Sequence, residues 1–166
     1  MGKLAADKLP ALRSQYSKEA IRQMVLTLAS TYGIPAELLW GAMLQESGAR
    51  PVGIFAGDVA KAQAKRSSAF GMTQVTRTRY KSEAPLLGQP FNQLPHSALI
   101  QPDLALAYMA ASYDRGFKAK GGDRSKVPPW AGQWWAGGDI NGVGAQRKQN
   151  FILTHGPSVW NKQLEA

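Results

Sequence analysis

Apolar residues recur along most of the chain at the three-to-four spacing of a helix, and no stretch alternates as a half-buried strand would. In residues 17–30, Ile21, Met24, Val25 and Leu28 share one face, and Gly33 supplies a stop. Residues 34–47 open with Pro35 at the first helical position and close at Gly48, a pairing that predicts a helix between them. On that helix Leu39, Ala42, Met43 and Glu46 fall on one side. Short helices are predicted over residues 57–65 and 74–81. Residues 83–95 read as a loop because they hold Pro85, Gly88, Pro90 and Pro95. A further helix starts at Pro102-Asp103, runs through Leu106, Tyr108 and Ala111 to Arg115, and is closed by Gly116; residues 118–129 then form a basic, glycine-bearing loop. Helices at 130–135 and 145–155 flank a glycine-rich turn, and a last turn or helix covers 158–164. The expected class is mainly α.

A chain of 166 residues, 44% hydrophobic, suits one domain with a sizeable core. The expected organisation is an N-terminal arm over 1–16, made basic by Lys3, Lys8 and Arg13 and broken by Pro10, followed by a single domain over 17–166. There is no cysteine, so a disulfide framework, a thiolate metal site and a cysteine nucleophile are all excluded. His96 and His155 are too far apart in sequence to suggest a metal cluster, and no metal or other cofactor is expected. A Ser-His-Asp hydrolase has no Gly-x-Ser-x-Gly elbow to stand on. The basic arm is followed by no apolar core, and nothing approaches the roughly 20 apolar residues of a membrane span, so neither a signal peptide nor a membrane anchor is expected.

The net charge of +9 narrows the partners only partly. Lys61, Lys65, Arg66, Arg77, Arg79 and Lys81 follow one another with no acid between them. Such a surface attracts any polyanion, whether nucleic acid, lipid head groups or a carboxylate-bearing bacterial wall. No zinc finger, RNA-binding aromatic motif or heptad-linked basic helix accompanies it, so nucleic acid is not the expected partner.

The chemistry centres on Glu46, in Leu44-Gln45-Glu46-Ser47-Gly48. A carboxylate on the buried side of a helix either finds a cation or stays protonated through a raised pKa, and the second state is what a general acid requires. The ordinary alternative is a helix-end glutamate that turns to water. A second segment, Ala69-Phe70-Gly71-Met72-Thr73-Gln74, brings a small-residue turn and an amide side chain. Together with Ile34-Pro35, Leu38-Leu39 and Glu46-Ser47-Gly48, it resembles the Glu-Ser and Gly-Leu-Met-Gln motifs of the soluble lytic transglycosylase and goose-type lysozyme superfamily. Tyr108-Met109 resembles that family's Tyr-Leu pair, and Trp134-Trp135-Ala136-Gly137 stands in the place of its Tyr-Asn-Ala-Gly. Three departures accompany the match: Thr73 replaces a methionine, Trp134-Trp135 replace Tyr-Asn, and the stretch between Glu46 and Gln74 is longer than usual. The tyrosine that normally contacts the family's catalytic glutamate is therefore missing.

The resemblance implies a lysozyme-like α-helical domain, with a small β element between 51 and 68, that cuts peptidoglycan glycan strands. It implies Glu46 as the catalytic residue, with Ser47, Met72, Gln74, Tyr108 and Trp135 contacting substrate. Because no second carboxylate is anchored in a motif, the expected reaction is that of a lytic transglycosylase, which leaves anhydro-muramic ends. If Asp58 or Asp139 reached the cleft and held a water, a lysozyme-type hydrolysis would result. A wall-binding domain of a phage tail or secretion apparatus, without catalysis, is the non-enzymatic alternative. The expected setting is a phage-borne or machine-delivered protein, made in the cytoplasm and acting on the periplasmic wall, as a monomer or as part of a larger assembly.

Overall fold

A computed structural model describes residues 16–49, 69, 71–137 and 143–157. The expected helix over 57–65, the β element between 51 and 68, the last helix over 158–164, Asp58, Asp139 and most of the N-terminal arm lie outside these residues. Among the described residues, the regular structure comprises six α-helices and two 3-10 turns: α1 (Lys18–Tyr32), α2 (Ala36–Ser47), α3 (Arg77–Leu87), turns at Phe91–Gln93 and His96–Ile100, α4 (Pro102–Lys120), α5 (Ala131–Ala136) and α6 (Val143–His155). The mainly α class is thus observed among the described residues. None of these helices is long and apolar enough to cross a membrane.

Local chemistry sets the boundaries. The Ser17 hydroxyl accepts from the Ala20 N–H at 3.1 Å and caps α1, while Gly33 ends it in the left-handed region. Pro35 stands one residue before α2, and Gly48, at φ 65°, returns its N–H to the Leu44 carbonyl. Helix α2 buries Leu38, Leu39, Trp40, Gly41, Ala42 and Met43 in succession, so it is a central helix covered on all sides, not a surface helix with one apolar face. Helix α4 is the second such axis, with Tyr108 to Tyr113 all buried.

Two expectations are corrected. The segment beginning at Glu83 is helical as far as Leu87, with Pro85 inside α3. Proline removes the N–H that would meet the Lys81 carbonyl, but both residues are exposed, so water takes that carbonyl and the helix continues. Likewise Gly116 does not close α4, which runs on to Lys120 and Gly121. A Cβ at Gly116 would lie 2.7 Å from Trp130 Cζ3 and 3.0 Å from Trp134 Cε2. The glycine is there to seat two indoles against the helix, at a propensity cost of about 1 kcal/mol.

Glycines also let α6 approach both α2 and α5. A Cβ at Gly41 would be 3.0 Å from Ile152 Cα, and one at Gly132 would lie 2.6 Å from the Ala145 carbonyl oxygen and overlap the Gln149 backbone. The Gln149 side chain then joins the two helices, accepting from the Gly132 N–H at 2.6 Å and donating to the Pro128 carbonyl at 3.0 Å. Gly132→Ala should therefore force α5 from α6, at a cost of about 3 kcal/mol, the upper end for overpacking against backbone. A thermal melt of this variant that matches the parent would show that the close approach is not required.

Candidate active site

The antiparallel pairing of α2 and α6 determines what faces Glu46. Gly41 packs on Ile152 and Glu37 on Gly156, so advancing along α2 means moving back along α6. At the end of α2, this register brings Lys148 to Glu46, and the ammonium donates to Glu46 Oε1. The Glu46 side chain retains 12% of its exposure. Burial pushes its carboxyl above the usual carboxylate range; the cations of Lys148 and Arg79 pull the other way without reversing it.

A second carboxylate behaves in the opposite way. Glu83, on the buried side of α3 with Tyr80 and Ala84, is 3% exposed. Arg79 Nε donates to its Oε1 at 3.0 Å and the Tyr108 hydroxyl does so at 2.7 Å, while Ser112 and Arg115 donate to Oε2 at 2.7 and 2.9 Å. Burial alone would raise this carboxyl, but Arg79 and the surrounding donors hold it below the ordinary range. Arg79 extends the network further. It donates to the Trp135 carbonyl at 2.9 Å and to Ser112 Oγ at 3.3 Å, and its guanidinium lies 4.2 Å above the Trp135 ring.

A cleft of about 600 Å³ opens over this network, lined among others by Gln74, Arg79, Glu83, Arg115, Trp134 and Trp135. Glu46 is not among its lining residues. It is coupled to the cleft through Arg79 and through Tyr113, which stacks on Trp135 at 5.7 Å between centroids and feels the Glu46 charge.

Of the residues expected to contact substrate, Gln74 and Trp135 line the cleft. Gln74 has φ 55°, in the left-handed region that a non-glycine residue rarely occupies, and its Nε2 donates to the Gly71 carbonyl at 2.9 Å. Gly71 is required at the start of that turn because any Cβ would overlap the Leu99 carbonyl oxygen. Trp135 is anchored by its indole N–H, which donates to the Thr73 carbonyl at 3.1 Å, while the Thr73 hydroxyl donates to the Ala105 carbonyl at 3.2 Å. Ser47, Met72 and Tyr108 are buried. The Ser47 hydroxyl donates back to the Met43 carbonyl, Met72 is core, and the Tyr108 hydroxyl is directed to Glu83. Of the remaining tryptophans, Trp134 lines the cleft and Trp130 packs edge-on against Phe117.

Lys148, Glu83 and Arg115 belong to no motif in the sequence. Only Glu83 left a signal, the four-residue spacing from Arg79 that suits a helical ion pair. Arg79 itself, expected in a basic surface cluster, is drawn inward to 19% exposure by that pair. No protein-family model, curated protein or solved structure matches the chain.

Glu83→Ala strands two guanidiniums and a buried tyrosine hydroxyl and should cost about 3–5 kcal/mol. The native carboxyl lies below its unfolded value of about 4.3. Its stabilisation is therefore complete above that value and lost as pH falls through the depressed native one. Urea melts across acid pH should show a shallower decline for the variant; parallel declines would remove Glu83 from the acid response.

Proposed function

We propose that this chain is a peptidoglycan-cleaving lytic transglycosylase with Glu46 as both proton donor and proton acceptor. The observation that carries the reading is the burial of the Glu46 side chain at the end of α2, where it keeps 12% of its exposure; that desolvation pushes its carboxyl upward in spite of Lys148 and Arg79. An upward shift is the direction a general acid requires. Two further features support it. The turn bearing Gln74 and the segment bearing Trp135 are hydrogen-bonded together through Thr73, so the two motif departures occupy one place. The cleft beside them offers indole surfaces of the kind that stack on sugar rings.

In this mechanism Glu46 gives its proton to the glycosidic oxygen between N-acetylmuramic acid and N-acetylglucosamine, and the bond from that oxygen to the muramic anomeric carbon breaks. The substrate's acetamido oxygen supports the positive centre. Glu46, now ionised and steadied by Lys148, accepts the proton of the muramic hydroxymethyl group as its oxygen closes on the anomeric carbon. No water is consumed, and the product ends in an anhydro ring. Hydrolysis through Asp58 or Asp139 is the enzymatic alternative. The Lys148 contact gives the non-catalytic reading its footing, since an ion pair at that position can simply hold α2 to α6.

Digestion of purified sacculi followed by mass spectrometry of the released ends distinguishes these readings. Anhydro-muramic ends are expected from the parent and none from Glu46→Gln. Reducing ends carrying oxygen from labelled water would identify a hydrolase, and binding without release would identify a wall-binding domain. Lys148→Met adds a test of sign. Lys148 lowers the Glu46 pKa, so its removal should carry the alkaline limb of the pH–rate profile upward. A downward movement would contradict the assignment of that limb to Glu46.

A further inference from the structure

One side-chain oxygen on α2 is buried without a partner. Gln45 Oε1 lies out of water and meets no hydrogen-bond donor among the described residues, although it stands next to the glutamate on which the proposed chemistry turns. An amide oxygen left in that state is destabilising, so a helix that keeps one calls for a physical reason. The helix register says which donor is nearest. Glu37 packs on Gly156 and Gly41 on Ile152. Gln45 is the next residue of that row, one turn further along α2, and the matching residue one turn back along α6 is Lys148. The Lys148 ammonium is already at this place, donating to Glu46 Oε1. It carries three N–H donors on a flexible stem, so it has two acceptors beside it, one engaged and one not. The other groups that face Glu46 have no such choice. Arg79, on α3, acts from a distance and is committed to Glu83, Ser112 and the Trp135 carbonyl. Tyr113, on α4, directs its hydroxyl to the Ala131 carbonyl, and neither α1 nor α5 contributes a charge that acts on Glu46.

We propose that Gln45 Oε1 is a second resting position for the Lys148 ammonium, which leaves Glu46 for Gln45 when Glu46 takes up a proton and returns when Glu46 gives it away. Gln45 is thereby a positioning residue, acting on the reaction only through Lys148 and Glu46. The inference rests on the function proposed above. Without the amide oxygen, protonation of Glu46 would strand a part-buried ammonium and disfavour the acid form. With it, both protonation states are satisfied, and the carboxyl can pass between them within one catalytic cycle. The arrangement in the structure, with the ammonium on Glu46 and Gln45 unpaired, is that of the ionised glutamate.

The test combines NMR titration with the pH–rate profile of sacculus cleavage. In the parent, the Gln45 side-chain amide and Lys148 Cε should titrate at the midpoint of Glu46 Cδ, and in Lys148→Met the Gln45 response should vanish. Gln45→Met keeps the length of the side chain and removes the acceptor. It should lower the Glu46 midpoint, and with it the alkaline limb, by about one pH unit, the scale of one hydrogen bond to a charged group. Gln45→Glu holds the ammonium permanently and adds a like charge beside Glu46, so it should raise both. In the Lys148→Met background, Gln45→Met should have no further effect. A residue that merely packs between the helices would show neither the opposite signs nor the dependence on Lys148. An unchanged Glu46 midpoint in Gln45→Met, or an equal fall with and without Lys148, overturns the proposal. Thermal melts of Gln45→Met at pH above the limb should match the parent, because the acceptor is unpaired in that state; a loss of stability there would also overturn it. A parent that leaves sacculi uncut sinks the proposed function, whereas the NMR midpoints still decide whether Lys148 moves.

Discussion

The carboxylate of Glu83 lies almost wholly out of water and stays ionised there because four side chains on two helices donate to its two oxygens. The rest of the cleft depends on that arrangement. An unpaired charge at such a position would cost several kcal/mol, so Arg79, Tyr108, Ser112 and Arg115 are fixed in place by the need to satisfy it. Once fixed, Arg79 holds the end of α5 through the Trp135 carbonyl and ring, and Arg115 lies over Trp134. The network does less for net stability than for geometry, since a buried ion pair returns little beyond its own desolvation. Its effect is to place two indoles and a guanidinium fork at defined positions on one wall.

The two partly or wholly buried glutamates show how surroundings divide one side chain into two chemical states. Glu83 is surrounded by donors and its carboxyl is held down; Glu46 has Lys148 directly and Arg79 at a distance, and burial prevails. Divergent carboxyl environments of this kind occur both at acid–base sites and in structural ion-pair networks. Arg79 belongs to both environments. It neutralises Glu83 and moderates Glu46, so the structural network and the candidate proton donor share a cation.

Close helix approach supplies the other constraint. Gly41 and Gly132 let α6 lie against α2 and α5 at once, and the register that results carries Lys148 to Glu46 and Gln149 to the start of α5. The function proposed for the chain draws on this geometry, with Glu46 at one end of a linked set of groups and the cationic, indole-lined wall at the other.

The helices were legible in the sequence because their periodicity and caps are local: Ser17, Gly33 and Gly48 each act within a turn of their own position. Glu46 was legible for the same reason, as a carboxylate on the apolar side of a predicted helix. Pro85 and Gly116 misled because their local meaning, a break and a stop, was overridden by solvent access to one carbonyl and by two indoles from a later segment. Lys148, 102 residues from Glu46, and Arg115, 32 from Glu83, left no trace, since ion pairs between helices obey no sequence spacing. The sequence alone therefore determined the helical class and the placement of Glu46 on a buried helix side. Only the tertiary structure decided which charges surround that carboxyl, because desolvation and Coulomb attraction act through space.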